Sequence, residues 1–277
     1  MARVTVKGLW KEYDGHVVLE NLNLEVRDHE FVTIVGASGC GKTTFLKMLL
    51  GSETLSRGQL LIDGKPVASE PGPDRGIVFQ RYSLFPHLTV LQNLMLGLEF
   101  QGSPFFGRLF GAKRRAALEK AEKLLETLGL ANARDKYPPQ LSGGMQQRLS
   151  IGQSVIREPR ILLLDEPFGA LDPGITADMH RLIVELWAAN EMTIFMITHD
   201  VQESFKLGTR LLVFDKVRHD LQEPDRYGAR VTYDIPLRGP IREPGRALAE
   251  LTGMTSSAKS GDAYRASADG VPAAPPA

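Results

Sequence analysis

The chain has 277 residues, long enough for one large domain or a domain with a small extension. Its 33 Lys+Arg balance its 33 Asp+Glu, so it lacks the basic excess of a dedicated nucleic-acid binder, and its single cysteine, Cys40, excludes an internal disulfide and a cysteine metal cluster. That cysteine usage fits a reducing compartment, the N-terminal MARVTVKGLWKEYDG has no signal-peptide core, and no window nears the ~18 consecutive apolar residues of a spanning helix; the expectation is a soluble cytoplasmic chain whose membrane role comes through a partner.

In chain order, RVTVKGLW and VVLENLNLEVR alternate as half-buried strands do, with a turn at YDGH. EFVTIVG is apolar and rich in β-branched residues, the pattern of a buried strand. TTFLKMLLG has helical spacing and stops at Gly51. GQLLIDGKPV predicts a hairpin around Asp63-Gly64, and GIVFQ another short strand. From Pro86 to about Glu158 the pattern is helical. Within it, AALEKAEKLLETLGL sets Leu118, Ala121, Leu124, Leu125 and Leu128 on one face with charges opposite. ILLLDEP and MTIFMITH are further buried strands, and TRLLVFD is the expected last strand of the core. Strands alternating with helices imply an α/β fold around a parallel sheet. The N-terminal strands add an antiparallel β subdomain, and the helical block, about 84–158, is inserted in the sheet order. A small extension covers about 216–253, and the Ala/Ser/Gly/Pro-rich segment 254–277 reads as a disordered tail.

Residues 36–44, GASGCGKTT, match G-x-x-x-x-G-K-[ST] between a strand and a helix, the context a phosphate-binding loop requires. Gly36, Gly39 and Gly41 let backbone N–H groups converge on an anion, and the following helix aims its partly positive end at the same place. Lys42 supplies charge to the β- and γ-phosphates, Thr43 offers a hydroxyl to Mg²⁺, and Ser38 and Thr44 can bond phosphate oxygens. Cys40 fills the loop and is not read as a redox site. The plain alternative is a glycine-rich turn without a ligand. The loop alone leaves hydrolase, kinase and switch protein open. ILLLDEP, 161–167, then delivers Asp165 to a strand end beside it, where an acid can hold Mg²⁺ through water. Glu166 follows and can polarise an attacking water as general base. Without the phosphate loop, the two acids would read as the cap of a turn.

LSGGMQQR, 141–148, resembles the signature motif of ATP-binding cassette (ABC) ATPases, and the other landmarks of that family appear in order over roughly residues 3–215. The resemblance implies a P-loop NTPase fold with a helical signature subdomain, and ATP with Mg²⁺ as ligands. It places Tyr13 under the adenine and makes Gln80 the glutamine that senses Mg²⁺ and water. It sets Ala170-Leu171-Asp172 as the loop after the acidic pair, and His199 as the switch histidine at the γ-phosphate. Ser142-Gly143-Gly144 opens a helix and is a second anion-ready helix start. One triphosphate does not need two such sites. The resemblance resolves this with a head-to-tail homodimer in which each signature closes over the nucleotide on the partner's phosphate loop, Asp172 links the two sites, and hydrolysis opens the pair.

QRYSLFPHLTVLQNLMLGL carries Tyr82 and Phe85, with Phe100 nearby; in transporter ATPases this region receives a coupling helix from the membrane subunit. For Phe85 and Leu88, groove and core are equal readings. GRLFGAKRR, 107–115, reads better as a solvated helix start than as a face for lipid headgroups. The wording QRYSLFPHLTVLQNLMLGL, LSGGMQQR and DEPFGALD is similar to the nitrate, sulfonate and taurine importer group, while IGQSVIREP and DPGITADMH depart from it. GTRLLVFDKVRHD and YGARVTYDIPL resemble a branch tied to urea-like nitrogen compounds. That resemblance implies partners in a membrane permease and a periplasmic or lipid-anchored solute-binding protein, no nucleic acid, and a peripheral place on the cytoplasmic face of the inner membrane. A soluble cassette ATPase of DNA or ribosome work, and an exporter or lipid-transport ATPase, stay open as alternatives.

Overall fold

The computed structural model describes residues 2–80, 83–102, 108–169, 171–218, 220, 222–223 and 226–239. The chain divides into two units, 1–240 and 241–277. The second, with the expected tail, lies outside the described residues, as do Tyr82 and Ala170. In chain order the first unit runs β1 (Val4–Tyr13), β2 (His16–Val26), β3 (Phe31–Gly36), helix α1 (Lys42–Leu50), β4 (Arg57–Ile62), β5 (Lys65–Pro66), β6 (Arg75–Val78) and α2 (Val90–Gly102). It continues through α3 (Gly111–Thr127), α4 (Gly143–Val155), β7 (Ile161–Asp165), α5 (Pro173–Ala189), β8 (Thr193–Ile197), α6 (Val201–Leu207), β9 (Arg210–Asp215) and β10 (Arg230–Pro236).

Two sheets result. One is antiparallel, ordered β2-β1-β4-β5. Its β4–β5 hairpin turns at Asp63 and Gly64, both at positive φ (51° and 75°), the backbone a two-residue hairpin asks for. The other is six-stranded, ordered β10-β9-β3-β8-β7-β6, and parallel from β9 to β6. Period-two alternation sends its buried residues to two cores. Phe31, Leu162, Leu164, Ile194 and Met196 join the core that includes α2 to α5. Val32, Ile34, Leu163, Phe195, Ile197 and Phe214 join α1 and the antiparallel sheet on the other side. There Phe45 of α1 meets Phe195 and Phe214 with ring centroids 6.4 and 5.5 Å apart. Each such buried ring contributes roughly 1.5–3 kcal/mol. Helix α1 ends as its sequence requires, with Gly51 in the left-handed region (φ 88°) donating its N–H to the carbonyls of Lys47 and Met48.

TRLLVFD is, as expected, the last strand that supplies buried core residues, and β10 adds antiparallel to β9 at the sheet's edge. Two expectations need correction. The buried face of α3 is Ala117, Ala121 and Leu125, continued by Leu128, whereas Leu118 and Leu124 are only half-buried, because α3 presents its narrow alanine edge to α2. GIVFQ leaves the sheet after Val78, and Phe79 is exposed. Phe85 is exposed, its backbone clipped at both polar groups by Asn93, which speaks against the core reading of that residue. No described helix is long and apolar enough to cross a membrane.

Candidate active site

The strand β3 ends at Gly36, and Lys42 opens α1, so residues 37–41 form a tight loop between them. Two glycines are obligatory. Gly36 has φ 153°, and a Cβ there would lie 2.1 Å from the carbonyl oxygen of Phe214. Gly41, the N-cap of α1, has φ 80°, and a Cβ would lie 2.6 Å from Leu19 Cδ2. Gly39 also sits at φ 80°. Lys42 is buried, and its Nζ donates to the carbonyls of Gly36 and Ala37, both at 2.8 Å. The ammonium thus spans the mouth of the loop. Cys40 is packed beneath it, and burial pushes its thiol pKa up, consistent with a filler and not a reactive group. Ser38 and Thr43 are exposed and Thr44 half-exposed at the loop surface. Tyr13, at the end of β1, has Lys11 Nζ 4.3 Å from its ring centre, and that ammonium in turn donates to Glu53 Oε1 at 2.7 Å. Burial and then Glu53 push its phenol up to about 12. The tyrosine is 40% exposed, so its ring stays partly open.

β7 delivers the acids. Thr43 Oγ1 donates to Asp165 Oδ1 at 3.3 Å, which joins the first turn of α1 to the end of β7. Burial raises the Asp165 pKa, the Thr43 hydrogen bond opposes it, and Glu166 adds to the rise. Glu166 turns out of the strand in the left-handed region, φ 51°, an unfavourable conformation for a residue with a Cβ. Its amide donates to Ile197 O at 3.1 Å, which holds the turn against β8. Gln80 Nε2 donates to Glu166 Oε2 at 3.3 Å, and His199 Nε2 contacts Glu166 Oε1. Asp165, Glu166, Gln80, His199 and the phosphate loop thus meet beyond the carboxyl ends of β3, β8, β7 and β6, four adjacent strands, where open α/β sheets place ligands.

The signature segment stands apart from this cluster. Ser142 is the N-cap of α4, its side chain accepting from Met145 N at 3.3 Å. Gly143 is exposed, and Gly144 is buried so closely that a Cβ would lie 2.7 Å from Ile175 of α5. Asp172 is the exposed N-cap of α5, with Pro173 at the first helical position, and its side chain makes no capping bond. No hydrogen bond or ion pair among the described residues joins Ser142–Gly144 to residues 36–44. The connection is indirect: buried Gln147 of α4 donates to Pro167 O at 2.6 Å, one residue past Glu166.

Three side chains behind His199 escaped sequence reasoning. Thr198 Oγ1 donates to Glu203 Oε2 at 2.5 Å and accepts from Asp200 N at 3.0 Å. His180 Nε2 of α5 lies 3.2 Å from Glu203 Oε1, and its ring meets Phe168 edge-on at 4.8 Å. Burial pushes Glu203 up, but the bonds from His180 and Thr198 prevail and hold its pKa below the usual carboxylate value. The network joins the helix after Asp172 to the turn that carries His199. Its sequence signal was a glutamate on the buried side of the short helix VQESFKL.

A family model for the ABC transporter matches residues 19–169. The chain is 41% identical over 215 residues to an uncharacterized ABC transporter ATP-binding protein of Methanocaldococcus jannaschii, covering 76% of this chain and 77% of that one. It is 43% identical over 197 residues to the nitrate import ATP-binding protein NrtD of Synechocystis sp., covering 71% and 70%. Among solved structures, a dimeric post-hydrolysis state of an ATP-binding cassette bound to ADP and Pi superposes with TM-score 0.68 at 29% identity, covering 85% of this chain and 99% of that one.

Proposed function

The chain belongs to the ABC transporter ATPase family, and from that premise we propose that it is the ATP-hydrolysing subunit of an importer, acting as a head-to-tail pair on a separate membrane permease. The observation that supports this reading most is the convergence of Gln80 and His199 on Glu166, beside the Thr43–Asp165 pair and the phosphate loop. ATP lies with its adenine on Tyr13 and its phosphates on the backbone of Gly36 to Gly41, with Ser38, Lys42 and Thr44 as side-chain donors. Lys42, now on two loop carbonyls, exchanges those bonds for charge-assisted ones to phosphate.

Thr43 Oγ1 and the Asp165 carboxylate are two adjacent hard oxygen ligands, the latter short of charge compensation because burial already opposes its ionisation. Among the described residues no larger cluster of metal-ligating side chains exists. That sparse set fits Mg²⁺, which Thr43, Asp165 and Gln80 would hold together with water and phosphate oxygens. When bound, the cation would neutralise phosphate charge. Glu166 accepts the proton of the attacking water as its oxygen bonds to the γ-phosphorus and the bond to ADP breaks. His199 moves from Glu166 to the γ-phosphate, and Gln80 orients the water. Ser142, Gly143 and Gly144 complete the partner's site, and Asp172 spans the two. Loss of the γ-phosphate removes the contact that holds the pair closed.

The kinship to a nitrate import subunit supports uptake of a small solute: nitrate, a sulfonate, taurine or a urea-like nitrogen compound. Residues 84–158 form the permease-facing helical subdomain, with exposed Phe85 and half-buried Leu88 in its groove. The subunit then sits on the cytoplasmic face of the inner membrane, and a solute-binding protein serves the other side. Tagging the chain in its native cell and identifying what co-purifies from gently solubilised membranes tests this. A polytopic permease is expected; only ribosomal or DNA-repair proteins would overturn the transport role and leave the ATPase standing.

A further inference from the structure

We infer that the corner where α2 meets α3 is a binding surface for an anionic lipid bilayer. Phe110 is 71% exposed, the most open large hydrophobic side chain among the described residues, and Phe100 is 60% exposed. Leu109 fixes their setting. It is buried against the end of α2, where Gly102 leaves room: a Cβ there would come within 2.6 Å of Leu109 Cδ2. With Leu109 turned inward, its neighbour Phe110 is turned out to solvent.

The helix start beside these rings is built against the ordinary rules. A helix N-terminus favours a hydrogen-bonding cap and acidic residues. Here Phe110 is the N-cap with no side-chain bond, the first turn contains no acid, and Lys113, Arg114 and Arg115 follow at once. Residues 100–118 include four cations, counting Arg108, and no Asp or Glu. None of the four makes an ion pair or side-chain hydrogen bond with a described residue. The cations farther along pair readily: Lys120 with Glu158 at 2.8 Å, Arg134 with Glu122 at 2.9 Å. A helix start that repels its own charges, beside two open aromatic rings, is the complement of an anionic interface. Headgroup phosphates take the cations and the rings enter the interfacial layer.

This departs from the solvated reading that the run 107–115 suggested, and from the expectation that membrane contact comes only through a partner. It is independent of the cargo and of transport direction. The test floats the purified full chain with protein-free vesicles, phosphatidylcholine alone or mixed with phosphatidylglycerol. Flotation is expected only with the anionic vesicles, and it should fade as salt rises. The triple variant Lys113→Glu, Arg114→Glu, Arg115→Glu should weaken it by about tenfold or more, and Phe110→Ser should weaken it while leaving ATPase activity in solution unchanged. Equal flotation on both vesicles, none on either, or full binding by the charge-reversed variant with wild-type ATPase activity would overturn the inference.

Discussion

At the residue scale, function shows as conflict with stability. Burial works against the charge of the Asp165 carboxyl and raises its pKa, and Glu166 holds a positive φ that its Cβ resists. A carboxyl whose folded pKa is raised contributes stability only while protonated, below its ordinary value of 3.8, and loses it as pH rises through the folded value. Asp165→Asn should therefore raise the Tm of the nucleotide-free chain at pH 7 by about 2–4 °C, the shift of roughly 1 kcal/mol in a domain of this size, and abolish Mg²⁺-dependent hydrolysis. A scanning-calorimetry trace in which the variant melts lower would refute the assignment of burial as the dominant cause. Lys42→Ala should weaken nucleotide binding itself, by about tenfold to a hundredfold for one charge-assisted contact, in a fluorescent-nucleotide titration; unchanged affinity would remove Lys42 from the phosphates. Asp165, Glu166 and Lys42 were legible because each sits in a short motif whose neighbours dictate its place. Thr198, Glu203 and His180 were not, because His180 lies 23 residues from its glutamate and no local pattern joins them.

Between elements, the site depends on ties that cross from helix to strand. Gln147 joins α4 to the turn after Glu166, Ser154 Oγ donates to Ile77 O of β6 at 2.7 Å, and Glu203 joins α5 and α6 to the residue before His199. Glu203 has a lowered folded pKa, so its contribution is present above the ordinary value of 4.5 and is lost as pH falls through the folded one. Glu203→Gln should cost about 1–2 kcal/mol in urea unfolding at pH 7, and the difference from the parent should shrink below pH 4.5. A penalty that stays constant with pH would mean that charge plays no part. The strands and helices of the core were readable from period alone, because each buries a continuous apolar face. β10 was not: its residues are half-buried or exposed, and ionic contacts attach it, Arg210 to Asp234 at 2.7 Å and Arg230 to Glu20. An edge strand covered on one side leaves little hydrophobic signal.

At the scale of the whole molecule, one chain carries two anion-ready helix starts, the phosphate loop and Ser142–Gly144, and none of the described contacts joins them. In the proposed pair, the second serves the nucleotide held by the other copy. The sequence could raise this question from the repeated glycine-rich helix starts, but a contact between two copies is written in neither copy's local pattern. Glu166→Gln keeps the hydrogen-bonding shape of the site while removing the proposed proton acceptor. It should bind ATP and lose hydrolysis by about 10²–10⁴-fold. The most direct measurement is the molar mass of that variant in solution, by light scattering after gel filtration. With ATP and Mg²⁺ the expected mass is twice the monomer, returning to the monomer with ADP and failing to double when Ser142→Arg is added. A variant that stays monomeric with ATP, or that hydrolyses ATP like the parent, would contradict the shared two-copy site.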